Sequence, residues 1–170
     1  MLKNNFASTR KMTIIAMIAA MYVALVIALP WLSFGPVQVR VAEALTILPV
    51  LTPVAIVGVG LGCFIANLTS PYGAIDTIVG TLASIIAGIL TYRLRNIRFR
   101  GLPILSALSP VVVNAVMIGA MLSIAYTGSL SPVVFLTYAL SVGAGQMIAC
   151  VGLGLPLLKM LERTNVLGEV

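Results

Sequence analysis

Residues 34–49 read F-G-P-V-Q-V-R-V-A-E-A-L-T-I-L-P, and this segment decides how the rest of the chain is interpreted. It places Arg40 and Glu43 three residues apart in a chain that is otherwise apolar. Between positions 11 and 93 the one other charged residue is Asp76. A bilayer tolerates ionisable side chains only where they face a partner, a cavity or water. These three residues are therefore candidates for function.

The composition indicates an integral membrane protein. The chain has 170 residues, of which 61% are hydrophobic and 8% are charged, and its mean hydropathy is +1.16. Several apolar runs have the length of a membrane span. We expect residues 1–170 to form one all-α transmembrane domain, without a separate soluble domain.

The apolar runs predict six transmembrane helices. Their approximate bounds are 12–30, 42–52, 54–68, 75–93, 105–126 and 132–161. The second and third are shorter than the ~20 residues of a simple span, and Pro49 and three glycines interrupt them. Broken helices at membrane depth usually line a cavity, so this pair indicates a binding site.

The basic residues predict the orientation of the six helices. Nine of the ten Lys and Arg residues fall on one side of the bundle, together with both termini. Positive charge marks the cytoplasmic side, so we expect both termini in the cytoplasm. Arg40 is the exception and lies on the outer side with Glu43 and Asp76.

Several function classes lack their motifs. The sequence has no P-loop, and because it has no His it cannot form a Ser-His-Asp triad. No metal-binding motif includes Cys63 or Cys150, which we interpret as small core residues. We therefore expect no metal site, no cofactor and no enzymatic activity in this chain.

The first helix carries alanines at every fourth position, namely Ala16, Ala20, Ala24 and Ala28. This spacing aligns them on one face, which lets another helix approach closely. Two interpretations stay open: the face packs within this chain, or it docks a partner protein.

The run from Phe34 to Pro53, followed by G-L-G-C-F-I-A-N-L, resembles the QueT-type queuosine-precursor transporters. These are substrate-binding S components of energy-coupling factor (ECF) transporters. The resemblance covers nearly the whole chain, and its most specific part is the Gln-x-Arg-x-x-Glu-Ala-Leu core that begins at Gln38. Ala16 and Ala20 look like the A-x-x-x-A motif with which S components dock on their membrane coupling protein.

The resemblance implies the six-helix S-component bundle in a bacterial cell membrane. Two ATPase subunits would hydrolyse ATP and act through the coupling protein. The substrate would be a 7-deazaguanine captured from outside: pre-queuosine-1, queuine or the nucleoside queuosine. Composition alone leaves a stand-alone secondary transporter or channel subunit as the alternative, with an intramembrane enzyme third.

A deazaguanine has two hydrogen-bond donors on one edge, and a carboxylate can accept both. Glu43 is the first candidate for this contact, although it could instead pair with Arg40. Asp76 could bind a cationic 7-substituent or only cap a helix. Amides that could donate to the ring carbonyl are Gln38, Asn67, Asn114 and Gln146. Aromatic rings that could stack on the base, or belong to an interfacial belt, are Trp31, Phe34 and Tyr72.

Overall fold

The computed structural model describes residues 2–33 and 39–164, with side chains from Thr9 onward. This part of the chain is all-helical, as predicted. Its α-helices are α1 (Leu2–Ala28), α2 (Pro30–Ser33), α3 (Val54–Asn67), α4 (Gly73–Leu94), α5 (Ile104–Thr127), α6 (Pro132–Gln146) and α7 (Leu155–Thr164). A 3₁₀ helix spans Val41–Val50, and a π helix spans Met147–Gly154.

Four helical segments of the described chain are long and apolar enough to cross a membrane. They are Thr9–Ala28, Gly73–Leu94, Ile104–Thr127 and the continuous run Pro132–Thr164, which combines α6, the π helix and α7. The 3₁₀ helix and α3 are apolar but shorter, with 10 and 14 residues.

Three of the predicted helices differ from the structure in their start or in their helix type. The first begins at Leu2 instead of 12, and the second is a 3₁₀ helix that contains Pro49. The sixth predicted helix, 132–161, is interrupted by the π helix Met147–Gly154, which ends shortly before Pro156. Pro156 cannot donate to the carbonyl of Gly152 and crowds that carbonyl, so a widened turn before the proline relieves the conflict.

Helix α1 packs on α3 through glycines of α3. A Cβ built on Gly58 would lie 2.9 Å from Cβ of Ile18, and one built on Gly62 would lie 2.7 Å from Cβ of Tyr22. Real side chains do not approach so closely, so these two glycines permit the contact. The small residues that bring the helices together are therefore on α3.

The alanine face of α1 points away from this contact. Its four residues are all exposed, namely Ala16, Ala20, Ala24 and Ala28. On the opposite side of the same helix, Ile18, Tyr22 and Val26 are buried. The face does not pack within the described chain, which leaves it open to a partner.

Helices α4, α5 and α6 form the other half of the bundle around Ala83, Ile118, Leu122 and Val142. Near the last turn of α4, Thr91 and Ser106 each donate a side-chain hydrogen bond to the other's backbone carbonyl, at 3.1 and 3.0 Å. These bonds fix α4 to the start of α5 and satisfy two buried hydroxyls.

Candidate functional site

Arg40 is buried where three helix ends meet. It precedes the 3₁₀ helix in an extended conformation and is 5% exposed. Its Nε donates to the carbonyl of Ser33 at 3.3 Å, and its Nη1 donates to Oδ1 of Asn67 at 3.2 Å. Its Nη2 donates to Oδ2 of Asp76 at 3.2 Å. One guanidinium thus connects the end of α2, the end of α3 and the first turn of α4.

Asp76 forms the ion pair with Arg40. Its Oδ2 also accepts a hydrogen bond from Ser70 at 2.6 Å, and its backbone carbonyl accepts one from Nδ2 of Asn67 at 3.1 Å. Oδ1 is buried and has no hydrogen-bond partner in the described part of the chain. The Asp76 carboxylate makes no capping hydrogen bond to α4 in the described part of the chain; it instead anchors the α3–α4 connection to Arg40.

Glu43 lies on the first turn of the 3₁₀ helix and is 2% exposed. The hydroxyl of Tyr22 donates to its Oε1 at 2.5 Å, and Nδ2 of Asn114 donates to its Oε2 at 3.4 Å. The carboxylate thus lies between α1 and α5. The sequence left open an ion pair between Arg40 and Glu43; instead, the ion pair of Arg40 is with Asp76, and Glu43 is bound by neutral donors.

The π helix supports the backbone next to Glu43. The thiol of Cys150 lies 3.5 Å from the Glu43 carbonyl and 3.1 Å from Oε1 of Gln146. Thr46 donates to the same Glu43 carbonyl at 2.6 Å. Both irregular helices therefore meet at the residue that carries the carboxylate.

A small cavity lies beside these groups, with a volume of about 10 Å³. Its lining residues are Arg40, Glu43, Gly80, Ser84, Asn114, Ile118, Val142 and Gln146. Ordinary ligand pockets measure roughly 300–1,000 Å³. The lining side chains must therefore move apart before a ligand of purine size can enter.

The predicted site residues separate into two groups. Arg40, Glu43, Asn114 and Gln146 line the cavity, and Asn67 and Asp76 contact Arg40 behind it. The indole of Trp31 lies apart, since this residue is 71% exposed. Phe34 and Gln38 lie outside the described residues.

Tyr72 belongs to an aromatic cluster at the end of the bundle opposite the arginine-rich 93–100 loop. Its hydroxyl lies 3.1 Å from that of Tyr126, whose ring stacks on Tyr138 at a centroid distance of 5.3 Å. Partial burial, followed by the hydrogen bond with Tyr126, raises the pKa of Tyr72 to about 12. The phenol of Tyr72 therefore stays neutral around pH 7.

Sequence reasoning missed Tyr22, Ser70, Gly80 and Ser84. Tyr22 had a detectable signal, because it lies on the side of α1 opposite the alanines and a buried tyrosine hydroxyl usually finds a partner. Ser70, Gly80 and Ser84 are common residues in apolar helices and loops. Gly80 and Ser84 lie four residues apart on one face of α4, but this spacing is typical of helix packing and does not indicate a ligand site.

The buried ion pair should behave differently from the exposed pair of Arg98 and Glu162, whose side chains are 38% and 29% exposed. Arg40→Gln leaves Asp76 buried and charged without its partner, so we expect a loss of ~3–5 kcal/mol in the free energy of unfolding. Arg98→Gln should cost only about 0–1 kcal/mol. Reversible unfolding in mixed micelles measures both.

The double variant Arg40→Gln/Asp76→Asn removes both charges and should recover much of the loss seen for Arg40→Gln. Equal losses for Arg40→Gln and Arg98→Gln would contradict the interpretation that burial of the Arg40 pair makes it structurally important.

Comparison with known proteins identifies relatives of this chain. The family model described as QueT transporter matches residues 12–163. The queuosine precursor transporter QueT of Lactococcus lactis subsp. cremoris (strain MG1363) is 35% identical over 82 residues, which are 47% of this chain and 48% of the relative. The chain thus aligns with about half the length of this curated relative. No solved structure matches the chain.

The family match covers most of the chain, including the 3₁₀ helix with Glu43, the α3–α4 connection and the π helix. Together with four helices capable of crossing a membrane, it makes this a multi-pass cell-membrane protein. The chain belongs to the QueT transporter family.

Proposed function

We propose that this chain is the membrane-embedded substrate-binding subunit of an ATP-driven ECF importer, and that it captures a 7-deazaguanine precursor of queuosine from outside the cell. The observation that carries the proposal is the buried carboxylate of Glu43 on the wall of a cavity that also contains the amides of Asn114 and Gln146. Membership of the QueT transporter family supports this class of cargo. The chain supplies no P-loop, so partner ATPases would provide the energy.

The cavity offers the groups that a guanine-like edge requires. The ring N–H and the exocyclic amine of a deazaguanine are adjacent donors, and the two oxygens of Glu43 can accept both. The neighbouring ring carbonyl needs a donor, and the amide nitrogens of Asn114 and Gln146 are on the same cavity wall. Tyr22 would hold the carboxylate in place through its 2.5 Å hydrogen bond.

Glu43→Gln tests this role. The substitution replaces one acceptor with a donor, which would face a substrate N–H, and it removes charge assistance. An unpaired desolvated polar group costs ~1–3 kcal/mol, so binding of pre-queuosine-1 should weaken about 10-fold or more in calorimetric titration. Glu162→Gln is the matched control, because this glutamate is exposed and pairs with Arg98 at the far end of the bundle.

Two outcomes would change the interpretation of Glu43. If Glu43→Gln binds the base like the wild type, the glutamate is a structural partner of Tyr22, and the amides of Asn67, Asn114 or Gln146 read the base. If the wild type itself does not bind any 7-deazaguanine, the proposed cargo is wrong.

We propose further that the bundle crosses the membrane six times with both termini in the cytoplasm. Arg98 contacts Glu162 at 2.6 Å, so the 93–100 loop and the end of α7 lie on the same side. With six crossings, that side would carry nine of the ten basic residues, which supports a cytoplasmic location.

Cysteine labelling tests this orientation. We expect an impermeant maleimide to label Ser129→Cys but not Arg98→Cys in intact cells, in a background without Cys63 and Cys150. Both sites should react after permeabilisation. Labelling of position 98 in intact cells would contradict the proposed orientation.

The exposed alanine face of α1 supports docking on a membrane coupling protein, and Ala16 and Ala20 form its N-terminal half. Close contact between helices requires small side chains, so Ala16→Trp or Ala20→Trp should abolish copurification with the coupling protein and the ATPases. Binding of pre-queuosine-1 by the isolated subunit should be unchanged. Ala144→Trp, at an exposed alanine of α6, is the matched control.

Copurification of both α1 variants with the complete complex would contradict docking through this face. Accumulation of substrate by proteoliposomes that contain this chain alone would contradict the coupled importer and would indicate a stand-alone carrier.

A further inference from the structure

The connection between α4 and α5 contains a tight β-hairpin. Phe99 and Leu102 exchange both of their backbone hydrogen bonds, at 2.9 and 3.1 Å. The two residues between them, Arg100 and Gly101, have φ angles of +52° and +83°. Positive φ at both central positions is typical of a type I′ turn, which favours Asn-Gly or Gly-Gly. We call residues 97–102 the α4–α5 hairpin.

Arg100 is an unfavourable residue for the first position of this turn. It is the one non-glycine residue with positive φ in the described part of the chain. Asn, Asp and Gly adopt this conformation more readily than residues with long side chains. The turn itself therefore gives no reason for an arginine here, and its role must lie in what the guanidinium can bind.

The chain has too few acidic residues to neutralise this connection. Among the described residues, Arg98 forms the one ion pair of the 93–100 segment, with Glu162. Two of the other three acids of the sequence are buried in the candidate site, so at most one, at position 169, remains. The arginines that it would have to serve are Arg93, Arg95 and Arg100. Most of this positive charge must be balanced from outside the chain.

The same hairpin exposes large apolar side chains. Ile97 and Phe99 are 53% and 64% exposed, whereas the side chain between them, Arg98, contacts α7. Leu90 of α4 and Leu105 of α5 are exposed as well, so the apolar surface of the two helices continues through the hairpin.

The length of α4 places the hairpin at the boundary of the bilayer. This helix has 22 residues and is able to span a membrane, as is α5. At 1.5 Å per residue it is about 33 Å long, close to the ~30 Å of the hydrocarbon core. The residues that connect the two spans therefore lie at the level of the lipid headgroups.

We propose that the α4–α5 hairpin binds an anionic phospholipid. The guanidinium groups of Arg95 and Arg100 bind the lipid phosphate, and Ile97 and Phe99 contact the acyl chains next to it. Arg95 lies over the ring of Tyr92 at 3.7 Å and donates one hydrogen bond to its carbonyl, at 2.9 Å. A guanidinium has five N–H donors, so others are available to phosphate oxygens.

The exposed apolar side chains favour a lipid over an acidic protein surface as the source of the anion. A basic cluster beside a membrane span attracts anionic headgroups, and Phe at that level contacts acyl chains. This interaction is independent of the cargo and of the direction in which the chain is inserted.

Fluorescence quenching tests the proposal. The probe is Phe99→Trp in a Trp31→Phe background, since Trp31 is the one tryptophan of the sequence. The protein is reconstituted in mixed vesicles of phosphatidylglycerol and phosphatidylcholine, in which one lipid or the other carries brominated acyl chains that quench tryptophan on contact. The relative binding constant should favour phosphatidylglycerol about 5-fold or more. At about 1 M salt, where the Debye length is ~3 Å, the preference should fall.

The matched probe is Val133→Trp in the same background. Val133 is 76% exposed at the start of α6, and α5 separates it from the hairpin by a full span. It should be quenched about equally by the two brominated lipids, because the arginine cluster lies at the other end of the bundle.

Variants then locate the contact. Arg100→Asn removes the charge and supplies a residue that suits the turn, so the hairpin should persist. Combined with Arg95→Gln, it should reduce the preference at the Phe99→Trp probe to that of the matched probe. Lys11→Gln with Lys159→Gln removes the same charge from exposed positions on α1 and α7 and should keep the preference.

Three results would overturn the proposal. Equal quenching by the two lipids at Phe99→Trp would show that the hairpin does not select anions. Quenching at Val133→Trp but not at Phe99→Trp would place the hairpin outside the bilayer and indicate a protein partner for it. An equal loss of preference in the arginine and lysine variants would show that net charge, and not this hairpin, attracts the lipid.

Discussion

The desolvated guanidinium of Arg40 is the constraint on which the arrangement of the helices depends. Its donors have a rigid planar geometry, and a buried cation must find acceptors for them. Those acceptors are the carbonyl of Ser33, the amide of Asn67 and the carboxylate of Asp76. Helices α2 and α3 must therefore end, and α4 must begin, around one point. The short elements on this side of the bundle follow from that requirement.

The 3₁₀ helix Val41–Val50 and the π helix Met147–Gly154 position the second buried charge, Glu43. A 3₁₀ helix of ten residues is unusually long, and a π helix of eight is rare, yet the two pack against each other. Their contact point is the Glu43 carbonyl, which Thr46 and Cys150 both approach. The backbone of Glu43 is held from the π helix, and its carboxylate from α1 and α5. A displacement of α1, α5 or the π helix would therefore move Glu43.

Scarcity of charge made much of the site predictable. In a chain with few polar residues, the charged and amide side chains had to lie near one another or near water. Among the described ones, Arg40, Glu43, Asn114 and Gln146 line one cavity, and Asn67 and Asp76 contact Arg40. The ion-pair partner of Arg40 was not predictable from the sequence. Spacing of three residues suggested contact between Arg40 and Glu43, but Arg40 precedes the 3₁₀ helix in an extended conformation, and its ion pair crosses to α4. The 3₁₀ and π helices were also not predictable, because apolar periodicity does not distinguish α from 3₁₀ or π turns.

Helix α1 joins the two proposed activities because its opposite faces serve them separately. One face carries Tyr22, which donates to Glu43, and the other carries the exposed alanines. Ile18 and Tyr22 pack directly against Gly58 and Gly62 of α3, and closely packed helices transmit displacement. A partner seated on the alanine face would therefore touch the same rigid helix that positions the carboxylate. The docking face and the ligand site would then lie on opposite sides of α1. The hydrogen bond from the Tyr22 hydroxyl to Glu43 would connect this helix to the ligand site.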